Sequence, residues 1–403
     1  MRRLVLLGTL LATLVLAGPV GAAPEAAPIE TRLARALARP GVTASLTGAL
    51  AIDTKSGTVV FDRNAAKPFR PASTEKLTVA LAVLDELGPA FRTETVVLGA
   101  GSRRGKIWRG NFVLKGFGDP DLRTGDLDSL AREIKRLGIR RVSGRIVADE
   151  TYFDARRTGP GWKASFYKLE CPPLSALIVD RGVLNGRMSD DPALAAAIAF
   201  KRALERAGVR VGNAAVKGRA PASGTELASV DSPPVRKLVR QMASESDNFY
   251  AEMLTKLLGA HELGKGTTSA GTKVVRRELS ERGVPLSGVM LVDGSGLSTR
   301  NRLTAIALAS ILTKMARDDE LAPMFRRSLA IAGVSGTLED RMDAPPAKGR
   351  VRAKTGTTAE ASALAGYAGP RYVFALIMNG SPVSAFHARA AQDRFATVLA
   401  GAQ

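Results

Sequence analysis

Two pairs of strand-like segments at opposite ends of the chain limit its possible folds. Near the start, residues 46–53 and 58–62 read as strands joined at a Lys55-Ser56-Gly57 turn. Near the end, the apolar runs 361–367 and 372–378 form a hairpin across Gly369-Pro370, and residues 351–355 add a short strand. Helical patterns lie between and after them, over 235–244, 249–258, 274–282, 304–317 and 384–399. The expected fold is therefore α/β (α+β): one antiparallel sheet assembled from distant parts of the chain and flanked by helices.

The texture changes from about residue 92 to residue 232. Strands are predicted at 93–98, 107–114 and 142–148, and helices at 127–137 and 194–207. This segment has its own apolar pattern. It reads as a mixed α/β domain (92–232) inserted into a host domain built from 24–91 plus 233–403. The host begins with an Ala/Pro/Glu linker and a short helix over 29–38.

Residues 1–23 read as a secretory signal. Arg2 and Arg3 precede an apolar run over 4–17, and Pro19-Val20-Gly21-Ala22-Ala23 offers cleavage after Ala22 or Ala23. The run is short for a membrane span, and no cysteine follows it to carry a lipid. The expectation is export to the periplasm or the cell-wall side. Cys171 is the single cysteine, so no internal disulfide can form, and its apolar setting predicts a buried thiol. The net charge is +20, with basic residues spread along the chain instead of gathered in a tail or an aromatic-interleaved stripe. This pattern argues against nucleic acid and suits an anionic cell envelope.

The chemistry centres on Pro71-Ala72-Ser73-Thr74-Glu75-Lys76-Leu77, followed by helix formers up to the Gly88-Pro89 stop. Ser73 and Lys76 share one helical face near the positive end of the dipole. Lys76 can serve as a base only if burial or a nearby cation keeps it neutral part of the time. Ser246-Asp247-Asn248 lies between two helices, and Lys354-Thr355-Gly356-Thr357 lies on the short strand. Taken singly, these are a cap with surface charge, a polar loop and an edge strand. In this order, S-x-x-K, S-x-N and K-T-G form the set found in penicillin-binding proteins and serine β-lactamases.

Other chemistries find little support. His261 and His387 belong to no spaced ligand cluster, so neither a metal nor a cofactor is expected. Residues 259–265 have P-loop spacing, but Gly266 stands where a magnesium-binding hydroxyl is needed. Asp293, in Asp-Gly-Ser-Gly, reads as a turn residue.

Further stretches carry a family resemblance. Val292-Asp293-Gly294-Ser295-Gly296-Leu297-Ser298, Gly333-Val334-Ser335-Gly336-Thr337-Leu338 and Ser246-Asp247-Asn248-Phe249-Tyr250-Ala251-Glu252 resemble the D-alanyl-D-alanine carboxypeptidase/endopeptidase family. These are the type-4, low-molecular-mass class C penicillin-binding proteins. Gly116-Phe117-Gly118-Asp119-Pro120 and Gly159-Pro160-Gly161-Trp162 resemble that family's inserted domain. Val179-Asp180-Arg181 runs almost directly to a helix at Leu194, so this is a short form without the nested third domain.

The resemblance implies a β-lactamase/transpeptidase-like fold and an acyl-enzyme on Ser73. It implies Lys76 as base, Ser246 as proton relay, and Asn248, Lys354, Thr355 and Thr357 as substrate-binding residues. The N–H groups of Ser73 and Thr357 would form the oxyanion hole. The implied partners are peptidoglycan stem peptides and β-lactams. A serine β-lactamase and a non-catalytic sensor or cell-wall scaffold are the alternatives. The inserted domain and the Asp-Gly-Ser-Gly region argue against the first, and the full catalytic set against the second. Asp154 reads as a loop acid, with contact to an amine on the third stem residue as its other reading.

Overall fold

The computed structural model describes residues 27–402, and the expected signal segment lies outside the described residues. The first sheet has six antiparallel strands. Their order is Ala330–Ile331, Val351–Thr357, Ala361–Ala368, Tyr372–Asn379, Thr47–Asp53, Val59–Arg63. Thr47 faces Met378 and Asp53 faces Tyr372, so the two ends of the chain meet at the sheet's centre. Alternation along Tyr372–Asn379 sends Phe374 and Leu376 to one face and Val373, Ala375 and Ile377 to the other.

Each face is covered. Phe374 and Leu376 pack with Leu33 and Leu37 of helix Ile29–Leu37 and with Phe395 and Leu399 of helix Ala385–Gly401. The opposite face meets Leu308, Ile311 and Leu312 of helix Ala305–Ala316. Beyond it lies helix Lys76–Glu86, in which every residue from Lys76 to Leu84 is buried. A helix apolar nearly all round belongs inside a bundle. Helices Val235–Ser244, Asn248–Leu263 and Thr268–Glu281 pack against it. None of the helices among the described residues is long and apolar enough to cross a membrane.

A seven-stranded mixed sheet forms from the middle of the chain. Its main path is Val216–Lys217, Ile146–Asp149, Ile107–Gly116, Glu94–Arg104, Thr225–Asp231. Arg141–Val142 and Arg210–Val211 extend it beside Ile107–Gly116. Helices Thr124–Arg136 and Pro192–Arg206 close a separate core around Phe112, Leu127, Ile134 and Phe200. Residues 152–178 leave this sheet: Phe153, Cys171, Leu174, Ala176 and Ile178 pack into the helical core around Lys76–Glu86.

Element boundaries differ from expectation where tertiary pairing overrides local pattern. The strand predicted at 93–98 runs to Arg104, because Arg103 and Arg104 pair with Trp108 and Ile107 across a tight hairpin. The strand predicted at 142–148 is interrupted at Ser143-Gly144-Arg145 and resumes at Ile146. The helix predicted at 249–258 begins at Asn248, behind an Asp247 cap that accepts from Phe249 N (3.0 Å) and Tyr250 N (3.2 Å).

Candidate active site

The turn that carries Ser73 is Ala72–Glu75, a 3₁₀ turn that feeds directly into helix Lys76–Glu86. Ala72 has φ 48°, a left-handed conformation that costs a non-glycine residue energy and that packing must hold. Two glycines supply that packing. A Cβ on Gly296 would lie 2.0 Å from the Ala72 carbonyl oxygen. One on Gly356 would lie 2.8 Å from the Pro71 carbonyl oxygen and 3.1 Å from Ser73 N. The Asp-Gly-Ser-Gly loop and the K-T-G strand thus press against the turn from two sides, and glycine is what lets them approach.

Lys76 Nζ meets three acceptors: Ser73 Oγ at 2.9 Å, Asn248 Oδ1 at 2.8 Å and the Ser295 carbonyl oxygen at 2.7 Å. The Asn248 amide is oriented by its other end, since Nδ2 donates to the Glu170 carbonyl at 2.9 Å. Burial pulls the Lys76 ammonium down to about 8, while Asp293, Asp247 and Glu252 hold it from falling further. Burial also pushes Lys354 well below the usual lysine range, and repulsion from Lys76 adds to it. Desolvation is the largest cause for both amines, and the repulsion from Lys76 is the smaller one at Lys354.

Lys354 is fully buried and donates to the Thr355 carbonyl at 2.8 Å. Thr355 Oγ1 bonds Thr337 Oγ1 at 2.8 Å, which ties the strand to the Gly333–Leu338 motif. Thr357 is exposed, with its hydroxyl 3.3 Å from an Arg389 guanidinium nitrogen. Ser246 is half-buried at φ 60°, and its hydroxyl has no hydrogen-bond partner among the described residues. Lys76 contacts both Ser73 and Asn248, and Gly356 brings the strand carrying Lys354, Thr355 and Thr357 against the Ser73 turn. A shallow depression beside Ala72 and Gly296 is rimmed by Arg70, Lys163 and Glu360, with Glu360 paired to both cations.

Behind the dyad lies a carboxyl cluster that the sequence reading did not assign. Glu252 Oε1 accepts from Gly294 N (3.0 Å) and Ser295 N (2.8 Å), fixing the carbonyl that holds Lys76. Burial and Asp293 push Glu252 up to about 8. Glu75 is buried with neither carboxyl oxygen hydrogen-bonded, and burial raises it well above the carboxylate range. Two sequence signals pointed this way: Glu252 is one helical turn after Asn248, and Glu75 directly precedes Lys76.

Asp293 forms the turn expected of it. It accepts from Gly296 N at 2.9 Å, Ser298 N at 2.6 Å and Asn301 Nδ2 at 2.6 Å. Trp162 Nε1 also donates to it at 2.8 Å, joining the Gly159–Trp162 motif to this loop. Cys171 is buried. Asp154 is an ion-pair partner of the buried Lys256.

The model of the D-Ala-D-Ala carboxypeptidase 3 (S13) family matches residues 29–190 and 185–402. A D-alanyl-D-alanine carboxypeptidase from Actinomadura sp. (strain R39) is 31% identical, over 90% of this chain and 82% of that protein. The carboxypeptidase DacB of Mycolicibacterium smegmatis is 32% identical, over 92% of this chain and 83% of its own length. Penicillin-binding protein 4 (dacB) of Haemophilus influenzae superposes with a TM-score of 0.80 at 25% identity, covering 91% of this chain and 97% of that one. The chain therefore belongs to the D-Ala-D-Ala carboxypeptidase 3 (S13) family, and its activity is that of a serine-type D-Ala-D-Ala carboxypeptidase.

Proposed function

We propose that Ser73 and Lys76 carry this activity as a dyad, on stem peptides of peptidoglycan ending in D-Ala-D-Ala. The observation that carries the assignment is the set of acceptors around Lys76 Nζ. A neutral amine has two N–H donors and one lone pair. The Ser295 carbonyl and the oriented Asn248 Oδ1 can only accept, so they take the two N–H groups. The lone pair then faces Ser73 Oγ, and the 2.9 Å contact reverses, with the serine donating. Ser73 Oγ attacks the carbonyl between the D-alanines while its proton moves to Lys76.

The Ser73 and Thr357 N–H groups receive the oxyanion. Gly356 supports this by bringing its strand to the Ser73 backbone. Such a donor is typically worth about 10²–10³ in rate. Lys76 returns the proton toward the leaving amine, with Ser246 as relay. Lys354, Thr355 and Thr357 bind the terminal carboxylate. Water then releases the acyl group, and a β-lactam entering the same site leaves a slow acyl-enzyme. Residues 24–91 with 233–403 act as the catalytic domain and 92–232 as an insert. The 1–23 segment directs export to the wall side of the membrane.

Digestion of purified cross-linked peptidoglycan tests this reading, with Ser73→Ala alongside. The wild type releases D-alanine and Ser73→Ala releases none; loss of cross-linked dimers would add endopeptidase activity. Equal release by both proteins would remove Ser73 from the chemistry.

A further inference from the structure

The insert's sheet gathers basic residues that the linear sequence scatters. The Glu94–Arg104 and Ile107–Gly116 strands turn at Arg103-Arg104-Gly105-Lys106. Ile107 is the register partner of Arg141, and Arg141 of Arg210. Arg140 N donates to the Lys106 carbonyl at 2.8 Å, and Arg210 N to the Arg140 carbonyl at 3.0 Å. Arg103, Arg104, Lys106, Arg140, Arg141 and Arg210 therefore end neighbouring strands at one edge of the sheet, with strand spacing of about 4.8 Å. All but the half-buried Arg140 are exposed.

None of the six forms an ion pair among the described residues. The contributing stretches 99–111, 134–148 and 207–217 contain no aspartate or glutamate. Arg140 sets its guanidinium on the Lys135 and Ile139 carbonyls, at the negative end of helix Thr124–Arg136. The remaining like charges lie together without an acidic partner, which costs stability by repulsion and presents a field to something anionic.

Two apolar side chains sit in this cationic edge. Ile107, at the hairpin tip beside Lys106, is 36% exposed, and Leu137, just before Gly138 and Arg140, is 42% exposed. A soluble polyanion offers such residues no apolar phase. An anionic bilayer offers phosphate headgroups to the cations and an acyl boundary to Ile107 and Leu137.

The edge also points away from the catalytic domain. The chain enters and leaves the insert at Thr93 and Ser232, paired by Ser232 N to the Thr93 carbonyl at 2.8 Å. From Glu94 to Arg104 the strand covers about 33 Å at the usual rise per residue.

We propose that this edge docks the protein on an anionic phospholipid surface, with the cations on headgroups and Ile107 and Leu137 at the acyl boundary. The insert then acts as a spacer that stands the catalytic domain off the bilayer on its wall-facing side.

The test is site-resolved. An environment-sensitive fluorophore is attached to the full chain at Ile107→Cys or Leu137→Cys, with Phe386→Cys on the catalytic domain as control. Cys171 is buried, and the unsubstituted chain reports any label it takes. Retained D-alanine release shows that each variant is folded. With vesicles of phosphatidylglycerol and phosphatidylcholine in equal parts, emission at 107 and 137 is expected to rise several-fold and shift to the blue. The rise should vanish in high salt, on pure phosphatidylcholine, and when Arg104, Lys106, Arg141 and Arg210 are replaced by Glu. No rise at 107 or 137, or an equal rise at 386, would overturn the proposal. The same response to soluble polyphosphate would overturn the choice of a membrane and assign the edge to polyanions.

Discussion

Lys76 Nζ lies 2.7 Å from the carbonyl oxygen of Ser295, a residue far from it in sequence. That carbonyl cannot give a proton and cannot titrate. It holds the lysine in the same place whether the amine is charged or neutral, while Asn248 Oδ1 does the same from another direction at 2.8 Å. Only the third direction, toward Ser73, changes character when the proton leaves. As the proposed base, Lys76 is therefore aimed in one direction, and its expected pH behaviour follows from that geometry.

The first prediction concerns that pH behaviour. Burial brings Lys76 down to about 8, and in the proposed mechanism its base form is the active one. The second-order rate of acylation by penicillin should fall about tenfold per pH unit below pH 8 and flatten above it. Stopped-flow acylation between pH 5.5 and 9.5 checks the shape. A rate flat from pH 5.5 to 8 would mean that another group takes the serine proton.

Asn248→Asp should move that acid limb. A carboxylate 2.8 Å from Nζ favours the ammonium, so the limb shifts to higher pH. At pH 7 the acylation rate should drop at least about tenfold, with part of the loss recovered at pH 9.5. A uniform loss at every pH would instead point to displacement of Lys76.

Gly356→Ala tests the packing of the nucleophile turn. The added Cβ would stand 2.8 Å from the Pro71 carbonyl oxygen and 3.2 Å from the Ala72 Cβ, both parts of the turn that carries Ser73. A shift of about 1 Å at a reacting group can cost about 10² in rate. The expected outcome is a comparable fall in kcat/KM for D-alanine release with little change in melting temperature. Full activity would show that the turn can relax away from the strand.

Much of this was legible in the sequence, and the exceptions have a common cause. Ser73, Lys76, Asn248 and Lys354 stand out by type and spacing, because the proposed chemistry calls for those side chains. The end-to-end sheet is legible because residues 361–367 and 372–378 are too apolar to lie anywhere but at its centre. The Ser295 clamp is not legible, since a backbone carbonyl leaves no residue-type signature. Nor is the tip of the insert's hairpin: Gly99 to Lys106 falls between the two predicted strands, and Gly99 to Arg104 become strand only by pairing with Ile107 to Phe112. The gathering of Arg104, Arg141 and Arg210 depends on that pairing and on two parallel strand contacts, neither visible along one dimension.

Glu75→Gln should stabilise the fold in a pH-dependent way. Both carboxyl oxygens of Glu75 are buried without hydrogen bonds, and its acidity is held well above the carboxylate range by burial and by Asp293 and Glu252. Folding then retains a proton that the unfolded chain loses above about pH 4.5, so this residue's contribution to stability declines as pH rises from there toward the folded value. Removing the titration removes the decline. The variant should match the wild type near pH 4.5 and melt several degrees higher at pH 8, by calorimetry at both values. A lower melting temperature at pH 8 would mean that Glu75 is ionised and serves as a partner to Lys76.

The most direct test of the central claim is the intact mass of the protein after incubation with benzylpenicillin, followed by peptide mapping. The account predicts one covalent adduct, located on Ser73, absent from Ser73→Ala and formed at least about 10³-fold more slowly in Lys76→Ala, as loss of an activating base implies. An adduct on another residue, or undiminished acylation of Lys76→Ala, would contradict the Ser73–Lys76 dyad.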